Sequence, residues 1–305
     1  MPKIILDTDI GSDVDDAMAL LFALHSPELD IKGVTTVYGD VRLRAEIALK
    51  LIDLDGKKGI PVAVGSEFSL LRERNIWRDG IEGKGIITGE ETDLIPINES
   101  AADFIIRMVH ENPGEIVLVA VGPLTNLAVA LINDPTIIPK IKEIIFIGGM
   151  ARVGDNSLDV PAIEYNVRCD PEAARLVFRS GIPIVMLGMD VTRRNATFID
   201  SKDLKKIKEV GAPVHLMAVT LLEIYWDYLQ KDGSWMHDAL ALAFTIDRSL
   251  VKTRKLFVEI ETKGICTTGL TLVTDQKDRS NVEVGVSLDE KRFLPFFLER
   301  ICRQT

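Results

Sequence analysis

The sequence predicts an α/β fold: an open, mostly parallel doubly wound sheet of Rossmann-like type with helices on both faces. Three observations carry that prediction. Apolar runs of strand length recur at residues 4–6, 31–37, 60–65, 115–122, 143–150 and 183–190, and segments of helical period alternate with them. The runs are continuous rather than alternating, as in strands covered on both faces. At 305 residues with 47% hydrophobic content, the chain can bury one large core, so a single domain over residues 1–305 is expected.

The first run leads directly into Asp7-Thr8-Asp9-Ile10-Gly11-Ser12-Asp13-Val14-Asp15-Asp16, five carboxylates in ten residues, and an apolar helix pattern starts at Ala17. These carboxylates therefore occupy a βα turn at the carboxyl end of a strand, where open α/β sheets bind ligands. So many like charges resist desolvation unless a cation or several donors neutralise them. A hard divalent ion is the simplest answer. Calcium accepts six to eight oxygen ligands, magnesium keeps more water, and the absence of a nearby His or Cys argues against zinc.

Other readings explain less. Helix capping needs only one of Ser12, Asp13 or Asp15. An EF-hand loop begun at Asp7 would put Ser12 at the glycine position and Met18 at the bidentate glutamate. A magnesium-dependent phosphohydrolase, resembling the haloacid dehalogenases, would use Asp7 and Asp9 but leave Asp15 and Asp16 idle.

The second strand ends in Tyr38-Gly39-Asp40, so Asp40 either faces the same crevice or caps the helix that follows over 42–54. Residues 66–98 form the least regular segment, carrying the run from Trp77 to Gly85, and so long a glycine-containing connection reads as a mobile loop. A helix over 101–110 precedes the central strand 115–122. That strand runs into Gly122-Pro123-Leu124-Thr125-Asn126, with Pro123 opening the next helix. The strand at 143–150 closes on Gly148-Gly149-Met150, a tight turn.

In Glu164-Tyr165-Asn166, two positions apart on an extended stretch, an acceptor and an amide would point the same way and could grip vicinal hydroxyls. Asp170-Pro171 starts a helix. Residues 201–229 read as helical, with Tyr225, Trp226 and Tyr228 near the end. Aromatics at this spacing are core residues or, beside a ligand, a stacking surface for a nucleobase. Next comes Trp235-Met236-His237-Asp238-Ala239, where a histidine before a helix is ordinarily a cap or core residue. His25, His110 and His215 lie in amphipathic stretches and are expected to carry no chemistry. The tail reads as strands over 255–260, 268–274 and 282–287, the first two joined by a Lys263-Gly264 turn. A helix over 289–302 closes the chain, and this tail extends the sheet or supports an interface.

Asp-Thr-Asp-x-Gly followed by Asp15-Asp16-Ala17 resembles the amino-terminal signature of the calcium-dependent nucleoside hydrolases, the inosine-uridine-preferring N-ribohydrolases. The spacing is two residues longer than the common form, and the alignment is taken on Asp15-Asp16-Ala17. Gly122 to Asn126, Gly148-Gly149-Met150, Glu164-Tyr165-Asn166 with Asp170-Pro171-Glu172-Ala173-Ala174, and His237-Asp238-Ala239 resemble further motifs of that family.

The resemblance implies the nucleoside hydrolase fold and cleavage of the N-glycosidic bond of ribonucleosides to free base and ribose. It implies Ca2+ held by Asp9, Asp16, Asp238 and the Val121 carbonyl, a water activated by Asp15 as general base, and His237 approaching the leaving base. It places Met150, Asn156, Glu164 and Asn166 at the sugar, and Asp40 where the family often carries an asparagine. Tyr225 and Tyr228 fall near the base. The family's His-Gly pair corresponds to Asp79-Gly80. A homodimer or homotetramer is implied as well. The rivals are a non-catalytic nucleoside-binding protein of the same fold and the phosphohydrolase.

Composition excludes other classes. With 46 acidic against 36 basic residues, a net charge of −10 and no basic stripe, neither nucleic acid nor an anionic membrane is an expected partner. Cys169, Cys266 and Cys302 are far apart with no Cys-x-x-Cys, as in reduced cytoplasmic proteins. The chain enters its first strand by Lys3 without a signal segment, and no apolar run of membrane-spanning length occurs.

Overall fold

The computed structural model describes residues 1–11, 14–72, 74–76, 80–89, 93–151 and 163–303. The opening run forms β1 (Lys3–Thr8), buried from Ile4 onward. Helix α1 (Asp15–Leu24) follows and is buried at every position, apolar all round because it is packed on all sides. Then come β2 (Asp30–Thr36), α2 (Val41–Leu54), β3 (Val62–Val64) and β4 (Ile97–Ser100). Next are α3 (Ala101–Glu111), β5 (Ile116–Ala120), α4 (Thr125–Asn133) and β6 (Glu143–Ile147).

A short α5 (Tyr165–Cys169) leads to α6 (Pro171–Phe178), β7 (Ile184–Leu187) and α7 (Met189–Thr192). The chain continues through β8 (Phe198–Asp200), α8 (Ser201–Val210), α9 (Pro213–Leu229), β9 (Gly233–Trp235) and α10 (His237–Ile246). It ends with β10 (Val251–Ile260), β11 (Thr271–Thr274), β12 (Val282–Leu288) and α11 (Phe293–Ile301).

Ten strands make one sheet in the order β11-β10-β12-β7-β6-β5-β1-β2-β3-β4, while β8 and β9 pair separately. From β12 to β4 every neighbour is parallel; β10 and β11 extend the sheet antiparallel. One apolar cluster, including α1, α9, α10 and α11, covers one face; a second, including α3, α4 and α6, covers the other. The chain first builds outward from β1 to β4, then returns to place β5 on the other side of β1 and builds the opposite way. That reversal is the topological switch point, and it opens a crevice at the carboxyl ends of β1 and β5. The acidic turn stands at this crevice.

Several boundaries differ from the sequence reading for identifiable reasons. The helix expected over 201–229 is two helices, because Gly211 takes a left-handed conformation at φ 75 and Pro213 restarts the chain as α9. Glu164 and Asn166 are not on an extended stretch. Glu164 is the N-cap of α5, accepting from the backbone N–H groups of Asn166 and Val167. In the tail, β10 begins earlier than expected, at Val251, the connection to β11 runs over residues 261–270 rather than 261–267, and the closing helix begins only at Phe293.

Two histidines set aside as inert lock helix ends together. His25 Nε2 lies 2.6 Å from Asp55 Oδ1, the His25 and His215 rings are 5.2 Å apart, and His215 Nε2 meets the Ile301 carbonyl at 2.5 Å. Burial lowers the pKa of His215. A group depressed in the folded state contributes its full stability above its unfolded value, about 6.5, and loses it as pH falls below that. Denaturant titrations from about pH 7.5 to pH 5 are expected to show falling stability in the wild type and a flatter profile in His215→Gln. Parallel profiles would refute this.

Candidate active site

The floor of the crevice is built from residues that never reach solvent. Asp7 is fully buried, and its Oδ1 accepts from Thr35 Oγ1 at 2.5 Å and Asn126 Nδ2 at 2.7 Å. Burial raises its pKa to about 7, partly opposed by those two donors. Asn126 also donates to the Thr36 carbonyl at 2.9 Å and accepts from the Ser66 N–H at 2.8 Å, joining β1, β2 and the chain after β3. A Cβ at position 65 would stand 2.2 Å from the Thr36 carbonyl oxygen and 2.3 Å from Asn126 Oδ1, so glycine is required there. Thr125 donates to Asp170 Oδ2 at 2.7 Å, and that oxygen also accepts from the Leu70 N–H at 2.8 Å. Thr125 and Asn126 thus brace four distant segments, at Asp7, Thr36, Ser66 and Asp170.

Above this floor lies a cavity of about 1020 Å³. Asp9, Asp15, Asp16 and Asp238 all line it and are all buried. Among the described residues, Asp15, Asp16 and Asp238 place carboxylate oxygens within 4.8 Å of one another. Thr8 Oγ1 donates to Asp16 Oδ1, and the Asp238 N–H at the start of α10 reaches Asp15 Oδ2 at 3.2 Å. Asp9 sits on the β5 side, where its Oδ1 would lie 2.9 Å from a Cβ at position 122, a close approach that only Gly122 allows. The donor set is all oxygen, buried and of one sign, which fits a hard divalent cation.

Val121 lines the same cavity, and its carbonyl accepts from Asn166 Nδ2 at 2.6 Å; the same amide nitrogen reaches the Ile147 carbonyl at 3.0 Å. The donors of Asn166 are thereby committed to the ends of β5 and β6, and Oδ1 is the atom it has left for a ligand. Glu164 is gripped by three backbone N–H groups, from Gly149 at 2.9 Å, Asn166 at 2.9 Å and Val167 at 3.0 Å. Burial still raises its pKa to about 7, with the charge of Asp9 adding to the rise.

His237 lines the cavity at the start of α10, its ring 6.3 Å from that of Trp235, over which Arg193 sits at 4.8 Å. Burial first, and the Arg193 guanidinium second, push its imidazole down to about 4. The ring is therefore neutral near pH 7, a hydrogen-bond donor at one nitrogen only. Tyr225 also lines the cavity.

Other expected residues stand elsewhere. Asp40 is exposed and caps α2 through the Leu43 N–H at 3.1 Å, outside the cavity wall. Met150 is buried but does not line the cavity; Gly148 does. Tyr228 is 48% exposed and also off the wall, one turn from Tyr225 on a solvent-facing side of α9. Asn156, Asp13 and Asp79 lie outside the described residues. Asp7, the nucleophile a phosphohydrolase would need, lies beneath the cavity with no face on it.

The structure adds wall residues that periodicity did not point to. Tyr38 and Tyr165 meet edge to face at 6.4 Å, Arg74 and Asn75 come from the irregular segment, and Arg74 is paired with Glu172 at 2.5 Å. Ile265, Cys266 and Thr268 come from the long connection between β10 and β11. Their only advance signal was the Lys263-Gly264 turn, which says nothing about where the loop lands.

Comparison with known proteins finds relatives along nearly the whole chain. The sequence model described as inosine-uridine preferring nucleoside hydrolase matches residues 4–295. A pyrimidine-specific ribonucleoside hydrolase, RihA, of Salmonella arizonae is 35% identical, over 98% of this chain and 97% of its own. Among solved structures, a purine-preferring ribonucleoside hydrolase from Gardnerella vaginalis superposes with a TM-score of 0.87 at 30% identity, covering 98% of both chains. A plant nucleoside hydrolase does so with a TM-score of 0.87 at 33% identity, covering 99% of both.

Proposed function

The chain belongs to the inosine-uridine preferring nucleoside hydrolase family and hydrolyses ribonucleosides to free base and ribose; on that premise we propose that it does so at the switch-point cavity with calcium as its metal. The observation that carries the reading is the convergence of Asp15, Asp16 and Asp238 beside Asp9 and the Val121 carbonyl. Asp9, Asp16, Asp238 and that carbonyl would hold the ion. Calcium there would neutralise the carboxylates and act as a Lewis acid toward the ribose diol and a water.

The protein groups supply the rest. Asp15, oriented by the Asp238 N–H, is the first candidate to take the proton of the attacking water. Glu164 is locked by its three backbone donors and Asn166 by two carbonyls, so each presents a fixed acceptor to sugar hydroxyls without losing side-chain freedom on binding. As the glycosidic bond stretches, positive charge grows on the sugar, and the ring of carboxylates stabilises that state over the neutral ground state. His237, neutral, donates a hydrogen bond to the departing base, and a nearby cation would only reinforce its neutrality. Tyr225 offers a ring face to the base.

The relatives are named for opposite base classes at similar identity, so the cavity wall rather than family membership decides preference. Among the described residues no helix is long and apolar enough to cross a membrane, and the three cysteines are unpaired. We propose a cytoplasmic enzyme that is a homodimer or homotetramer, which light scattering would size. The deciding assay is release of base and ribose from inosine, adenosine, guanosine, uridine and cytidine, with calcium or chelator. Chelator-sensitive cleavage of at least one nucleoside is expected. Nucleoside bound tightly but returned intact would instead identify a binding protein.

A further inference from the structure

Arg44 is 1% exposed and is the only Arg or Lys side chain so deeply buried among the described residues. It extends from the first turn of α2 to the two turns that flank the crevice. Its Nη1 donates to the carbonyls of Asp9 and, at 2.9 Å, Ile10, while its Nε donates to the Tyr38 carbonyl at 2.6 Å. One planar guanidinium thus joins the turn after β1, which carries Asp9, to the turn after β2, which carries Tyr38.

Tyr38 needs holding. Its φ of 62 puts a bulky residue in the left-handed region, where non-glycine residues are strained. Its N–H donates to the Ser66 carbonyl at 2.8 Å, and Arg44 secures its carbonyl, so the peptide units on both sides of its Cα are held. The result aims the Tyr38 ring into the cavity against Tyr165.

We infer that Arg44 is the positioning residue of this active site, clamping two βα turns so that Asp9 and Tyr38 meet the metal and the substrate in one geometry. This inference rests on the calcium reading above for its metal arm and on the cavity alone for its Tyr38 arm. Charge adds to the geometry: a guanidinium cannot lose its proton, so a permanent cation is held against the turn that carries Asp9 whether or not a metal is bound. Lysine has the charge but not the fork, and cannot reach three carbonyls on two turns at once. Groups that hold a metal ligand in place in this way typically set metal affinity by about 10- to 100-fold.

The test is calcium titration by calorimetry, with kcat and KM for the best nucleoside at saturating calcium, on wild type, Arg44→Lys and Arg44→Met. Weakening of calcium binding by about 10- to 100-fold is expected in both variants, with a raised KM that saturating calcium does not restore, because Tyr38 hangs on the same clamp. A lysine variant that is folded by circular dichroism and retains wild-type calcium affinity and KM would overturn the inference. Should Arg44→Met not fold, Arg44→Lys decides. Should the wild type bind no calcium, the metal reading falls by itself, and the clamp stands or falls on the KM of Arg44→Lys.

Discussion

Asp15→Asn is expected to lower kcat by about 10²- to 10⁴-fold while leaving the calcium affinity within a small factor of wild type. The substitution keeps the shape of the side chain and an acceptor for the Asp238 N–H, now 3.2 Å away, but removes the basic oxygen. Since Asp15 also stands within 4.8 Å of the Asp16 and Asp238 oxygens, its charge does a second thing: it repels theirs. Calcium-free Asp15→Asn is therefore expected to melt higher than the calcium-free wild type, an active-site substitution that stabilises while it inactivates.

Asp9→Asn belongs in the same experiment. If Asp15→Asn lost metal binding and Asp9→Asn lost only turnover, the two carboxylates would exchange roles and Asp9 would be the base. Stopped assays with calorimetry on both variants separate these outcomes.

Why some of this was legible in the sequence and some was not follows from what a linear pattern encodes. Continuous apolar runs betray strands covered on both faces, and a cluster of carboxylates after one of them betrays a ligand site at its end, so β1, its turn and the parallel core could be read directly. Asp238 and His237 are 222 and more residues further on in the chain than Asp15, and only the family motif connected them to the acidic turn. Nothing in local spacing states that α10 starts against α1.

Asp40, Met150 and Tyr228 show the opposite failure. Each is two or three positions from a residue that does line the cavity, Tyr38, Gly148 and Tyr225 respectively, and a step of that size along a turn or helix is enough to take a side chain from ligand to core or solvent. Arg44 had a signal that the composition hid. It shares its helix face with Ile47, Ala48 and Leu51, all buried, so a cation stands on the apolar stripe of α2. A charge at such a position is either an error in the helix reading or a residue with buried partners, and three carbonyls are those partners. Ile265, Cys266 and Thr268 had only the nearby Lys263-Gly264 turn as a signal, because where a loop from the antiparallel arm comes down depends on the register of β10 against β12, which includes an irregularity at Lys252/Thr253.

Removal of the metal is expected to have the other large effect. A chelator should bring turnover to background and lower the melting temperature, both restored by calcium and less completely by magnesium. The protein pays to keep Asp15, Asp16 and Asp238 buried with oxygens within 4.8 Å, and a cation turns that repulsion into attraction. A ligand that binds only the folded state at a hundred times its Kd adds about 2.7 kcal/mol, and relief of the carboxylate repulsion is part of that figure rather than additional to it. Calcium should exceed magnesium because a crowded set of carboxylates and a carbonyl offers many oxygens at relaxed distances, whereas magnesium asks for near-octahedral order and holds its water. Fluorimetric melting and nucleoside cleavage on the same chelated sample test both effects. Full turnover in protein shown by elemental analysis to be free of calcium would sink the metal reading and leave the carboxylates to stabilise the sugar cation unaided.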